Sequence, residues 1–193
     1  AAPSFDETWL SLQEQWAHIN YEVAKDQKQT QFKALDEQLQ ALASANPGRP
    51  EPLIWRGIVL STWAGAKGGL GALGLVKDAR SLFEQSLKLS EDALQGSAYT
   101  SLGSLYYQVP GWPIAFGDDK KARELLEKAL QINPDGIDSN YFYADYWREQ
   151  GDNARAKQYF TKALQAPARP SRPLADAGRR REITDKLNEI ESR

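Results

Sequence analysis

Apolar residues recur along this chain at helical spacing, and no segment shows the two-residue alternation of a strand. Phe5, Trp9, Leu12, Trp16, Ile19 and Val23 follow one another at steps of four, three, four, three and four. They therefore share one stripe of a helix running from about Phe5 to Lys25. Phe32, Leu35, Leu39 and Leu42 draw the same stripe over about Thr30 to Ala45. Asn46-Pro47-Gly48-Arg49-Pro50 then stops that helix, because proline has no amide hydrogen to give the ladder. At the far end Ile183, Leu187 and Ile190 mark the inward face of a polar helix from about Leu174 to Ser192.

A second pattern lies over the first. Between Ile137 and Pro167, small and large residues take turns: Ala144, Trp147, Gly151, Ala156, Phe160, Ala163 and Pro167. Tyr99, Leu102, Gly103 and Tyr106, with Ala122, Leu126, Ala129 and Pro134, repeat the pattern, and Gly57, Ala79, Phe83 and Leu87 carry part of it again. A small residue on the first helix of a pair lets the second helix lie close against it. This order and spacing resembles the tetratricopeptide repeat. The resemblance implies an all-α, right-handed α-solenoid of about four helix pairs, with residues 1–193 as a single domain. The repeats are expected at about 5–47, 50–91, 96–134 and 137–167, with a capping helix at about 174–192 to cover the last apolar face.

Two pairs are longer between their helices than the plain repeat. The small residue and the following alanine stand twelve positions apart in Ala144–Ala156, nineteen in Gly103–Ala122 and twenty-two in Gly57–Ala79. Insertions at one place in successive repeats emerge on one side of the array, often the binding side. They fall at about Thr62 to Val76 (TWAGAKGGLGALGLV) and Val109 to Asp119 (VPGWPIAFGDD). With these stretches and the repeats that follow, the chain resembles a family of exported bacterial tetratricopeptide proteins. It is more distantly similar to the T component associated with TRAP-type solute transport. The first resemblance implies a periplasmic binding or scaffold protein. The second implies a carrier whose inserted loops cover an apolar pocket for a hydrophobic small molecule.

Charge and composition narrow the partners. The formal net charge is −2, which gives no general attraction for nucleic acid or anionic lipid. Apolar runs fall far short of the ~20 residues that cross a bilayer, so neither nucleic-acid binding nor membrane insertion is expected. Without cysteine there is no disulfide, thiolate metal site or thiol nucleophile. The opening Ala1-Ala2-Pro3-Ser4 has the small-residue character left by signal peptidase, and a trimmed chain would begin the same way. Periplasmic export is the expectation.

Candidate chemistry is sparse. Gly69-Leu70-Gly71-Ala72-Leu73-Gly74 fits G-x-G-x-x-G, yet a helix precedes it where a dinucleotide fold needs a strand. The expected role of these glycines and alanines is close packing on neighbouring helices. His18 is the single histidine, too few for a histidine zinc site, and no G-x-S-x-G elbow accompanies it. It lies off the apolar stripe, which predicts an exposed or rim position. Asp118, before the strongly helical DKKARELLEKAL, reads as a helix cap. Arg179-Arg180-Arg181 reads as the solvated face of the last helix. No catalytic residue, cofactor or metal is expected.

The expected function is therefore non-catalytic binding of a protein or peptide. In tetratricopeptide repeats the groove is lined by the first helix of each pair, at positions outside the packing signature. The resemblance places Glu51, Ile54 and Ile58 there, then Thr100, Ser104 and Tyr107, then Asp138, Tyr141, Asp145 and Arg148. On this reading, truncating Tyr141 and Arg148 opens no core cavity. Trp112, between prolines in the second insertion, either plugs the turn or contacts a ligand, and Phe116 joins it in the carrier reading. Chelators and nicotinamide cofactors are expected to leave the melting temperature unchanged. A ligand at a hundred times its Kd would add about 2.7 kcal/mol, so a reproducible upward shift with either contradicts this reading.

Overall fold

The computed structural model describes residues 2–192 and is all-α, with no strand among those residues. The helices are α1 (Phe5–Glu22), α2 (Lys25–Ala45), α3 (Glu51–Lys67), α4 (Leu73–Leu89), α5 (Ser97–Gln108), α6 (Asp119–Ile132), α7 (Ile137–Glu149), α8 (Asn153–Leu164) and α9 (Pro173–Glu191). Helices α1 to α4 pack each on the next, as do α5 to α8, and two compact units are distinguished. The first comprises Ala1–Leu89 with Arg169–Ala175, and the second Ser90–Ala168 with Asp176–Arg193.

In the first unit, Ser4 opens α1 with a capping box, its hydroxyl accepting from the Glu7 amide at 3.2 Å while Glu7 accepts from the Ser4 amide at 3.2 Å. The α1 stripe buries Trp9, Leu12, Trp16 and Ile19. Trp9 and Trp16 meet the Trp55 ring edge-on, at 6.0 and 5.3 Å between centroids. The Trp16 indole donates to the Thr62 hydroxyl at 3.2 Å, so the ring's polar edge is satisfied as well as its faces. Phe32, Leu35 and Leu39 bring the α2 stripe to the same core.

Two local readings of this region are corrected. Helix α2 begins at Lys25, not near Thr30, because Val23 and Ala24 adopt extended backbone and turn the chain without glycine or proline. The Lys28 ammonium then donates to the Asn20 carbonyl at 2.7 Å, satisfying one of the open carbonyls at the end of α1. The stretch from Thr62 to Val76 does not emerge as a loop but lengthens α3 and α4. Gly68 and Gly69, at φ of 68° and 64°, make the reversal between them. A Cβ on Gly69, or on Gly74 in the first turn of α4, would meet nothing within 4 Å, so neither glycine is there for close packing.

Hairpin geometry is set at the small positions. A Cβ on Gly57 would stand 2.5 Å from the Phe83 ring, and one on Gly103 would stand 2.8 Å from Leu126 Cγ. In the α7–α8 hairpin Ala144, Ala156 and Phe160 are all fully buried. Gly151, at φ 84°, closes that hairpin's turn while the Asp152 amide donates to the Trp147 carbonyl at 2.9 Å. Asp118 and Asp152 cap α6 and α8, each accepting an amide hydrogen bond at 3.0 Å.

These contacts separate two glycine classes. Gly103→Leu is expected to lower stability by several kcal/mol through overpacking against Leu126. Gly65→Ala, in α3 with open space at its Cβ, is expected to raise stability by about 0.5–1 kcal/mol. Thermal unfolding of the two variants checks both signs.

Candidate functional site

Asp138, Tyr141 and Asp145 lie at steps of three and four and so share one face of α7. Within the second unit that face meets Arg179, Glu182 and Lys186 of α9, which have the same spacing. Arg179 Nε donates to Asp138 Oδ1 at 2.9 Å, the Tyr141 hydroxyl to Glu182 Oε2 at 3.3 Å, and Lys186 Nζ to Asp145 Oδ1 at 2.7 Å. Each pair is 41 residues apart in sequence, so α7 and α9 run parallel in a fixed register. The Arg179 guanidinium also lies 4.4 Å from the Tyr141 ring centre and 4.9 Å from that of Phe142.

Asp145 is the hub of this face and is only 4% exposed. Its Oδ2 accepts from the Tyr107 hydroxyl of α5 at 2.6 Å, and its Oδ1 accepts from Arg148 Nε at 2.9 Å and from Lys186. Burial by itself pushes the carboxyl up, but Lys186, Tyr107 and Arg148 outweigh it and hold it below the usual aspartate value. Burial, then the Asp145 charge and hydrogen bond, push the Tyr107 phenol well above its ordinary value. Nearby, Tyr143 is pushed up to about 12 by burial and by its hydrogen bond to Glu127 at 2.7 Å.

The structure thus brings Tyr107, Asp138, Tyr141, Asp145 and Arg148 together, but on a face covered by the chain's own helix. Tyr141 is 4% exposed and packs on Phe142 and Phe160 at 4.9 and 5.8 Å. Its truncation therefore opens a cavity, contrary to the expectation from spacing. Thr100 and Ser104 are buried too, their hydroxyls reaching the Gly96 and Ser101 carbonyls at 3.5 and 2.7 Å. In the first unit Ile54 is fully buried in the core and cannot line a groove. Ile58 is half-buried. Glu51 accepts from Arg49 at 2.7 Å; burial works to raise its pKa, and the Arg49 bond turns the net shift downward.

The roles of Arg179, Arg180 and Lys186 were misread or passed over in the sequence. Arg179 is 9% exposed and points at Asp138, not into solvent. Arg180 donates to the Leu164 and Ala166 carbonyls at 2.6 and 2.9 Å, capping the end of α8. Arg181 alone of the three is exposed. Lys186 carried no sequence signal beyond its i, i+7 step from Arg179.

The second insertion is a true loop. Gly111 and Gly117 form an isolated bridge, the Gly117 amide donates to the Pro110 carbonyl at 2.8 Å, and the Asp118 amide donates to the Tyr106 carbonyl at 2.8 Å. A Cβ on Gly117 would collide with the backbone of Val109 and Pro110. At the tip Trp112 is 89% exposed and Ile114 57% exposed. Trp112 is therefore no plug, and it encloses no pocket with Phe116, whose ring packs edge-on against Tyr106 at 5.2 Å.

Elsewhere His18 is exposed and bonds Glu22 at 2.8 Å through Nδ1. A cleft of about 310 Å³ lies within the first unit between α1 and residues 171–175, lined by Gln13, Ala17, His18, Arg172 and Leu174 among others. Among the described residues no group of three or more histidine, cysteine or acidic side chains is arranged to hold a metal. No helix among them is long and apolar enough to cross a membrane.

Residues 137–169 match the family model of the tetratricopeptide repeat. The matched residues include the α7–α8 hairpin. No curated protein matches the chain. Among solved structures, MamA aligns at a TM-score of 0.49 and 18% identity, covering 89% of this chain and 95% of its own. TTC0263, a thermophilic TPR protein of Thermus thermophilus, aligns at 0.43 and 16%, covering 85% and 92%. PilF of Pseudomonas aeruginosa aligns at 0.39 and 13%, covering 96% and 90%.

Asp145→Asn is expected to destabilise the protein by roughly 2–5 kcal/mol, the range for breaking a buried hydrogen-bonded charge pair. Because the folded-state pKa of Asp145 is lowered, its stabilisation is complete above the ordinary aspartate value and is lost as the pH falls through the folded value. The gap in melting temperature between wild type and Asp145→Asn should therefore be constant near neutrality and close on acidification below about pH 4. Melting curves over that range check the sign.

Proposed function

We propose that this protein is a non-catalytic scaffold that recognises a protein partner, with the Trp112 loop as its outward contact. The observation that carries the reading is a tryptophan held almost wholly in solvent on a loop braced at both ends by backbone hydrogen bonds. Trp112 and Ile114 both expose apolar surface at this loop tip, and burying it against a partner would be favourable. Tryptophan is also among the residues that most often dominate interface energies, and a braced loop loses little freedom on binding. The tetratricopeptide repeat at 137–169 supports the same class of function. A periplasmic setting belongs to this proposal, and a chain without cysteine is spared unwanted disulfides in an oxidising compartment.

The experiment is cross-linking capture from periplasmic extract with wild type and Trp112→Ala, followed by titration of the recovered partner. Trp112→Ala should keep the wild-type melting temperature, since the ring packs on little. Binding should weaken roughly thirtyfold, equivalent to about 2 kcal/mol for a central anchor. An unchanged Kd would remove the loop from the interface.

A further inference from the structure

The α7 face is unusual in what covers it. Helix α9 brings little apolar surface to the second unit: Ile183 is fully buried, while Leu187 and Ile190 are only half-buried. Its backbone stays farther from α7 and α8 than the repeat helices stay from one another, and long side chains span the gap. The contact is carried by Arg179 on Asp138 and Tyr141, by Lys186 on Asp145, and by Glu182 on Tyr141. Charged groups of this kind are also well solvated in water, so exchanging water for protein partners leaves a small net gain. The connection from α8 to α9 contains Pro167 and Pro170, and Pro173 opens α9, so no helical ladder runs from one helix into the other.

Set against α9, the α7 face is acidic and aromatic. It offers two carboxylates, Asp138 and Asp145, at a spacing of seven residues, with the Tyr141 ring between them, and Asp145 also accepts from Arg148 of α7 itself at 2.9 Å. That is a receptor for two cations seven residues apart on one side of a helix, with an apolar residue one turn from the second of them. Helix α9 supplies the two cations as Arg179 and Lys186, with the fully buried Ile183 between them in sequence.

We propose that α9 is an exchangeable built-in ligand, and that the α7 face takes from a partner protein a cationic amphipathic helix presenting arginine and lysine seven residues apart. This rests on the protein-binding reading above and names the chemistry of a partner segment. The tether gives α9 an effective concentration in the millimolar range, so an external helix must compete with it and binds the resting chain weakly. A partner that also holds the Trp112 loop gains the second contact intramolecularly, which offsets that competition.

The test uses the full chain and a labelled synthetic peptide of residues 173–192 as the probe. Wild type should bind the peptide weakly. The full-chain variant Arg179→Glu with Lys186→Glu releases its own α9 and should bind the peptide at least tenfold more tightly. Adding Asp138→Lys should remove that binding, and a scrambled peptide of the same composition should not bind. Equal binding to wild type and variant, or binding insensitive to Asp138→Lys, overturns the proposal.

Lys186→Gln is the milder variant should the double reversal fail to fold, with the same direction expected. Amide exchange on wild type is an independent readout: α9 should exchange faster than α7, and equal protection of the two helices overturns the proposal. Concentration-dependent dimers abolished by Lys186→Glu would assign the face to the α9 of a second copy, and so overturn the partner-helix reading. Loss of peptide binding with Trp112-dependent capture intact would sink this inference alone. Loss of Trp112 dependence would sink the earlier one.

Discussion

A side chain no larger than a methyl, at one point on the first helix of a pair, sets how close the second helix can lie. Gly57 against Phe83 and Gly103 against Leu126 are two instances of that constraint, and Ala144 is the fully buried small residue at the corresponding place in α7. Close-packed interiors tolerate neither a gap nor an extra methylene at such a point. Once the backbones approach there, Ala79, Ala122 and Ala156 are buried on the second helices, and the large aromatic residues are left to fill the flanks. Each hairpin's remaining face is then free to carry something other than its own core.

On α7 that face is carried by charge. Burying Asp145 would be unfavourable if it stood alone, yet three donors converge on it and hold it ionised. The same arrangement orients Tyr107, Arg148 and Lys186, which come from three different helices. Because the contact between α7 and α9 is polar, its strength depends on geometry more than on area. A well-packed apolar cap would hold permanently; a cap made of ion pairs can be matched by another helix with the same charges. This difference links the packing to the proposed partner chemistry.

Most of the fold was legible in the residues. The 3.6-residue stripes and the small–large alternation place the helices and their pairing, because both are local consequences of helical geometry. The start of α2 was not legible, since Val23-Ala24 turn the chain without any turn-forming residue. The fate of the first insertion was hidden as well: TWAGAKGGLGALGLV is as compatible with two longer helices as with a loop. The candidate site was half legible. Spacing shows that Asp138, Tyr141 and Asp145 share a face, but no local pattern says that Arg179, Glu182 and Lys186, 41 residues later, will cover it. Trp112 was ambiguous for the same reason, because exposure depends on what the rest of the chain leaves uncovered.

Direct coupling between α9 and the α7 face is what a double-mutant cycle on Asp145 and Lys186 measures. Unfolding free energies of wild type, Asp145→Asn, Lys186→Met and the double variant isolate the pair from everything else each side chain touches. The double variant should be more stable than the sum of the single losses implies, by about 1 kcal/mol or more. Additive effects within about 0.3 kcal/mol would mean that the two side chains do not interact, and would contradict the placement of α9 on this face.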